Sequence, residues 1–549
     1  MFTRITRSGG RAYLQLVEAF RNEDGQPRQR VVANLGRLDQ LSAKDLAPLI
    51  EGLSRAVGRE APAAAVFESS RAFGDLYALH ALWGELGLDR AVRTAVRSSR
   101  RQFDAAALIR IMVFNRLCDP ASKLGVLRWL ETVALPEAPA SVSHDHLLRS
   151  MDALMDRVEA VQAAVARQLR PLLDASVSVV FYDLTTIRIH GEGDVADDVR
   201  AFGLSKDTGG IARQFVLGVI QTADGLPIAH EVHVGNVGEV ATLLPAIRNV
   251  MARYSLAKIV LVADRGLLSL DNLEAVEALQ GVDGPSIEYI LAVPARRYGE
   301  FADLVAKTRL RDGLGEARWN ERRVVIAHDE AAAQRQRAAR REALARIEAE
   351  GERLAKRLDA AEEGTPKRGR PSTDRRAYLR FCELVSDARL GRILKADLNA
   401  ERFSFDRDEA ALEAAEQLDG KLLLVTNTGL PTQDVLTRYK ALADIERGFR
   451  VLKSDIAIAP VHHRLPERIR AHALICFLAL VLHRILRARL RASGSALSPQ
   501  RALATLRQIQ RHQVRLDANT LHGISRITEE QLDILRTLKL PKPEAKTAA

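Results

Sequence analysis

The spacing of apolar residues changes several times along the chain, and each change marks a new part. Tyr13-Leu14-Gln15-Leu16-Val17 and Arg30-Val31-Val32-Ala33 read as short strands flanking the turn-prone Asn22–Pro27. They predict a small β hairpin module over residues 1–65. From 66 to 172 the spacing is helical, through Leu76–His80, Ala105–Leu117 and Leu147–Leu169, with Pro120, Pro136 and Pro139 as breaks.

The period shortens at Val177. Val177–Tyr182 is almost continuously apolar and β-branched, and it ends at Asp183. Gln214–Thr222 and Leu226–Val234 read as two strands joined by an Asp224-Gly225 turn. A helix over Val240–Tyr254, a buried strand Ile259–Ala263 ending at Asp264, a helix capped by Ser269 and a strand Ile287–Val293 follow. This order predicts a mixed α/β sheet. Residues 301–419 interrupt it. There Leu344, Ile347, Leu354 and Leu358 fall at heptad-like spacing and predict an exposed helical arm or short coiled coil. Gly364–Pro371 reads as a linker whose Arg-Gly-Arg-Pro core resembles a minor-groove arm. The sheet resumes at Lys421–Thr426, so its two parts span 173–300 and 420–492. A helix over Gln433–Ser454, a buried helix over Arg470–Leu490 and a basic helical region over 493–549 complete the chain.

Charge narrows the class of partner. Among 549 residues, Lys plus Arg number 81 against 70 acids, a net +11. Between Glu446 and Arg511 the balance is 13 basic to 3 acidic residues. Surface charge is normally mixed in sign, so this stretch points to phosphate contacts. The longest apolar run, Ala473–Leu482, is shorter than the roughly 20 residues a membrane span needs. The three cysteines lie far apart and supply neither a disulfide framework nor a zinc motif. The expectation is a cytoplasmic, nucleic-acid-facing protein with no membrane partner.

The candidate chemistry is carried by acids. Asp183 and Asp264 each close an apolar strand, at the edge where open α/β sheets bind ligands. An Asp there also starts turns, so neither is diagnostic alone. Glu446 adds a third acid: Tyr439, Glu446 and Lys453 recur every seven residues on one helix, beside the apolar stripe Leu442, Ile445, Phe449 and Leu452. The ordinary alternative for Glu446 is a surface ion pair with Arg450, worth about 0.3–0.5 kcal/mol.

Taken together, Phe181-Tyr182-Asp183-Leu184-Thr185-Thr186, Asp224-Gly225-Leu226-Pro227-Ile228 with Gly235-Asn236, and Val262-Ala263-Asp264-Arg265-Gly266 resemble the DDE transposases of bacterial insertion sequences. Tyr439, Glu446 and Lys453, with Phe449-Arg450, resemble the third-acid signature of the insertion-sequence-four superfamily. Gly10–Leu14, Asn34–Arg37 and Pro460-Val461-His462-His463-Arg464 place the resemblance in its sixteen-thirty-four branch. One position departs: where the signature carries Arg between Tyr and Glu, this chain has Leu442. The resemblance implies a ribonuclease-H-like catalytic core interrupted by the 301–419 insertion, with residues 66–172 binding element ends. It implies that Asp183, Asp264 and Glu446 hold two Mg²⁺ ions, which Mn²⁺ can replace, and that Arg265, Tyr439, Arg450 and Lys453 contact DNA. The implied partners are double-stranded DNA, as element ends and target, and a second copy of the chain in a synaptic homodimer. The implied location is the bacterial cytoplasm, at the nucleoid.

Other motifs carry less. His144 and His146 diverge on a helix, and Ser143 or Asp145 caps it instead; His462-His463 reads as a surface or DNA-facing loop. Neither a GxxxxGK[ST] loop nor a GxSxG elbow occurs. Three functions remain: a transposase, a related nuclease that cuts without joining, and a DNA-binding protein using the core as scaffold. Three placed acids weigh against the scaffold.

Overall fold

The computed structural model describes residues 1–58, 65–97, 101–172, 179–191, 198–205, 209–254, 258–263, 277, 286–362, 373–516 and 519–544. Asp264, Arg265, the Ser269 cap and the linker 364–371 lie outside them. The chain divides into two units, Met1–Ser70 with Arg511–Ser525, and Arg71–Gln510 with Arg526–Pro543.

In the first unit, β1 (Phe2–Ser8), β2 (Arg11–Arg21) and β3 (Pro27–Arg37) form an antiparallel meander, followed by a helix Ala43–Ala56. The expected hairpin thus gains a strand. Gly9 and Gly10 between β1 and β2 have φ of 56° and 75°, the paired left-handed conformation of a tight hairpin turn. Because β1 is largely exposed, it carries no apolar alternation to betray it. β4 (Val66–Ala72) pairs with a C-terminal hairpin, described below.

The second unit is built on a nine-stranded sheet: β5 (Val179–Arg188), β6 (Ala201–Leu204), β7 (Ile211–Thr222), β8 (Pro227–Val234), β9 (Lys258–Ala263), β10 (Ser286–Ala292), β11 (Leu314–Trp319), β12 (Arg322–His328) and, later in the chain, β15 (Lys421–Thr426). β5, β7 and β8 pair antiparallel, whereas β9 and β10 run parallel to β5. On one face, Val180, Tyr182 and Leu184 bury against Val216, Ile220 and the helix Glu239–Tyr254 through Leu243, Ile247 and Val250. The 66–172 region consists, beyond β4, of helices Gly74–Glu85, Leu88–Val96, Ala105–Cys118, Lys123–Thr132, His144–Met155 and Val158–Leu169.

The helix Pro466–Ala492 joins the two parts. It contacts helices Ala105–Cys118 and His144–Met155, β8, and the helix Ala443–Ser454. It is long and apolar enough to cross a membrane, but 94% of its most apolar window is buried inside the protein. A helix apolar on every side is what such a position requires.

The interruption of the sheet is shorter than the sequence suggested. β11 and β12, within the 301–419 stretch, belong to the sheet, and β12 pairs antiparallel with β15 from His328↔Lys421 onward. What remains outside is a helical hairpin, Glu330–Glu362 and Asp374–Asp387, a two-stranded ribbon, β13 (Leu394–Asp397) and β14 (Ser404–Arg407), and the helix Glu409–Leu418. The heptad-like row is not exposed: Leu344, Ile347, Leu354 and Leu358 bury against Phe381, Val385 and Phe403 in a separate core. At the chain's end, β16 (Gln510–Leu516) and β17 (Asn519–Ile524) form a hairpin between helices Pro499–Arg507 and Glu529–Thr537, where an all-helical region was expected. Its basic residues masked a sparse alternation of Val514, Leu516 and Leu521.

Because the Asp329 amide donates to the Gly420 carbonyl at 2.9 Å, the excursion enters and leaves at one hairpin mouth. Replacing Glu330–Asp419 with Asn-Gly should therefore leave β12 and β15 paired. Hydrogen exchange checks this: protection of β12 and β15 amides persists in the excised protein, and its loss would make the excursion integral to the sheet.

Candidate active site

Asp183 does not end its strand. β5 continues through Leu184-Thr185-Thr186-Ile187 to Arg188, so the carboxylate stands in the middle of a strand paired with β7. The residues after Asp183 are β-branched or apolar and suit a pleated, buried surface, which carries the strand past the charge. The side chain is half-buried, and its Oδ1 accepts a hydrogen bond from the Leu184 amide at 2.7 Å.

Alternation then decides its surroundings. Tyr182 and Leu184 face the core with the helix Glu239–Tyr254, so Asp183 faces the other side. Directly across the ladder, Asp183 pairs with Val219, and Val219 with His230. His230 stacks on Phe477 of the buried helix Pro466–Ala492, with ring centroids 4.7 Å apart. Burial, with a contribution from Arg253, pushes His230 down to about 3, so it is neutral at physiological pH. Phe181 lies opposite Gln221 on the same face and beside Val262 of the parallel strand β9.

Glu446 is exposed on the helix Ala443–Ser454, which contacts β5. Gly448 sets the closeness of that approach. A Cβ there would lie 2.7 Å from Gln221 Nε2 and 2.9 Å from Arg484 Nη2. The helix bearing Glu446 is therefore seated on the face of the sheet that carries Phe181 and Asp183. Gln221 is fully buried, and neither of its amide atoms has a hydrogen-bond partner.

The single helix expected over Gln433–Ser454 is two, Thr432–Lys440 and Ala443–Ser454. Between them the Leu442 amide donates to the Tyr439 carbonyl at 3.0 Å, a three-residue turn, as buried Leu442 is drawn inward. Such a turn advances about 120° per residue against 100° in an α-helix, so Tyr439 loses its phase with Glu446. Tyr439 is half-buried on the first helix; Glu446, Arg450 and Lys453 remain on the second, Arg450 exposed and Lys453 half-buried. Among the described residues no ion pair joins Glu446 to Arg450.

Polar groups on the buried helix hold the segment after Glu446. His472 Nε2 lies 3.0 Å from the Ile458 carbonyl, and Arg484 abuts Gly448. His483 approaches Asp455 at 3.8 Å. Burial keeps His483 near 4, so at neutral pH that approach is dipolar rather than ionic. Sequence reasoning passed over these residues because a polar group inside an apolar helix has no periodicity to announce it.

Among the described residues no group of three His, Cys, Asp or Glu is placed to hold a metal. Asp183 and Glu446 are both hard oxygen donors.

Residues 2–65 match the family described as IS1634 family transposase, N-terminal domain. Residues 175–482, more than half of the chain, match the family described as Transposase DDE domain. No curated protein matches the sequence.

The Gly448 contact yields a stability prediction. Gly448→Val should cost about 1–3 kcal/mol by overpacking. In a Gln221→Ala background the cost should shrink, because the obstructing amide is gone. Urea unfolding of the four proteins measures the coupling, and strict additivity would place the contact elsewhere.

Proposed function

Since the chain belongs to the DDE transposases of the IS1634 type, we propose that it binds the ends of an insertion sequence, hydrolyses the phosphodiester there and joins the freed 3′-OH to target DNA. The observation that carries this reading is the seating of the Glu446 helix on the Asp183 face of the sheet. The strand order β8-β7-β5-β9-β10, with the first three antiparallel and the last two parallel to β5, supports a ribonuclease-H-like core.

Asp183, Asp264 and Glu446 are the proposed metal-binding acids. Phe181 pairs with Val262, and in sequence Asp183 and Asp264 each stand two positions after that pair. Carboxylates with no imidazole or thiolate among them suit Mg²⁺ or Mn²⁺. When bound, two such ions supply positive charge to the attacking and leaving oxygens of an in-line displacement. Arg450, one turn after Glu446, and Lys453 would neutralise phosphates beside the reacting bond, with Arg265 and Tyr439 adding contacts. The N-terminal unit and the helices up to 172 are assigned to reading element ends, as a homodimer on paired ends. The setting is the cytoplasm, at the nucleoid.

Asp183→Asn, Asp264→Asn and Glu446→Gln each keep side-chain size and remove one ligand charge. Each should abolish Mg²⁺-dependent end cleavage on gels while sparing DNA binding, and near wild-type cleavage by any one removes that residue from the triad. Cleavage without joining in the unmutated protein would identify a nuclease instead. Replacing Arg450 and Lys453 together with Ala should lower the log–log salt slope of duplex binding by about 2, at roughly 0.9 per phosphate contact. Isotherms at five salt concentrations measure the slope, and an unchanged value would leave both as ordinary surface charges.

A further inference from the structure

The motif Pro460-Val461-His462-His463-Arg464 has no part in the three-acid site, yet it forms one wall of a cavity of about 650 Å³. The other walls come from Arg116, the segment Pro120–Leu124, His144 and the first turns of the helix Pro466–Ala492. His190 donates its amide to the Val461 carbonyl at 2.8 Å, so the wall is fastened just beyond the end of β5. Measured along that strand, Val461's partner Ile189 is six residues from Asp183, roughly 20 Å.

Among the described residues, three of the four Lys and Arg side chains lining the cavity, Arg116, Lys123 and Arg464, have no counter-ion. Arg116 and Lys123 are only 5% and 6% exposed. Arg116 donates to the carbonyls of Ala457 and Ala121, and its Nε has no hydrogen-bond partner. Among the described residues no carboxylate pairs with Arg116 or Lys123, and the Lys123 ammonium has no hydrogen-bond acceptor. Arg464 is exposed at the rim. The fourth, Arg468, is balanced by Asp152 at 2.8 Å. Three helices also begin here: Lys123 and His144 are the first residues of theirs, capped by Ser122 and Ser143, and Arg468 lies in the first turn of the third. Helix starts carry partial positive charge and free amides.

Neighbouring groups register the resulting potential. Burial and then Arg116 bring Lys123 down to about 7. Burial, Lys123, Arg468 and Arg116 bring His463 down to about 4. An unpaired buried ammonium is costly, and packing alone would be better served by an apolar side chain. The cost is offset when an anion enters.

We propose that this cavity binds a phosphate group, carried either on a DNA strand or on a free nucleotide, with Arg116, Lys123 and Arg464 as its charge partners. The volume exceeds what phosphate alone needs and accommodates an attached nucleoside. On DNA the phosphate would sit several nucleotides from the bond that is cut. That source rests on the transposase reading, whereas the free-nucleotide source does not.

The test uses the full chain, its Asp183→Asn form and Lys123→Met, which keeps the aliphatic stem. Inorganic phosphate and AMP, against chloride at equal ionic strength, should raise the melting temperature of the first two proteins and not of Lys123→Met. Duplex DNA binding should lose about 1 from its salt slope in Lys123→Met. A response to phosphate or AMP with an unchanged slope identifies the free nucleotide, and a changed slope, with or without that response, identifies the DNA strand. If neither measurement separates Lys123→Met from the unmutated protein, the proposal is overturned. Should Lys123→Met fail to fold, Arg464→Gln at the exposed rim carries the same comparison. Loss of cleavage in Asp183→Asn with an intact phosphate response separates this site from the three acids.

Discussion

Burial of the helix Pro466–Ala492 on all sides is the constraint on which the second unit depends. One stretch of it lies among the helices of the 74–169 region, another against β8, and its polar positions meet the segment that follows Glu446. Removing a helix of this kind from water supplies much of the hydrophobic drive that joins bundle to sheet. It also makes each polar group along it expensive unless it is used. His472, His483 and Arg484 are used as fixed points, spaced along the helix, for the chain between Gly448 and Ile458.

The site inherits its order from this arrangement. The sheet sets Asp183 by hydrogen bonding to a neighbouring strand, and the buried helix sets Glu446 through the close approach at Gly448. The two acids belong to elements more than two hundred residues apart in the chain, and between them lies an excursion with its own core. Because that excursion leaves and returns at one hairpin mouth, its size imposes little on the spacing of the acids.

Much of this was legible in the residues. The strands expected over 214–222, 226–234, 259–263, 287–293 and 421–426 are apolar runs bounded by turn residues, and they appear within three residues of those limits. The acids and their surrounding motifs carried the family. Other features had no local signature. β5 passes through a charge because its far half is buried from both sides. β11 was hidden because a strand at a sheet's edge needs little apolar alternation, whereas β12, between β11 and β15, carries a buried apolar run, Val324–Ala327, that is short and set among charged residues. The break at Ala441–Leu442 leaves the helical spacing of apolar residues intact and shows only in the hydrogen bonds. The basic cavity is assembled from segments 341 residues apart, with Arg116 donating to Ala457, and no sequence window contains it.

The mid-strand position of Asp183 couples folding to the chemistry proposed for it. A one-residue slip of β5 against β7 would turn every side chain to the opposite face. Asp183 would then enter the apolar cluster around Leu243 and Ile247, and Tyr182 would leave it. The misregistered sheet would lose its core and its acid in the same movement. Strand register thus serves as a proofreading step: any molecule stable enough to persist already presents its carboxylate on the correct side.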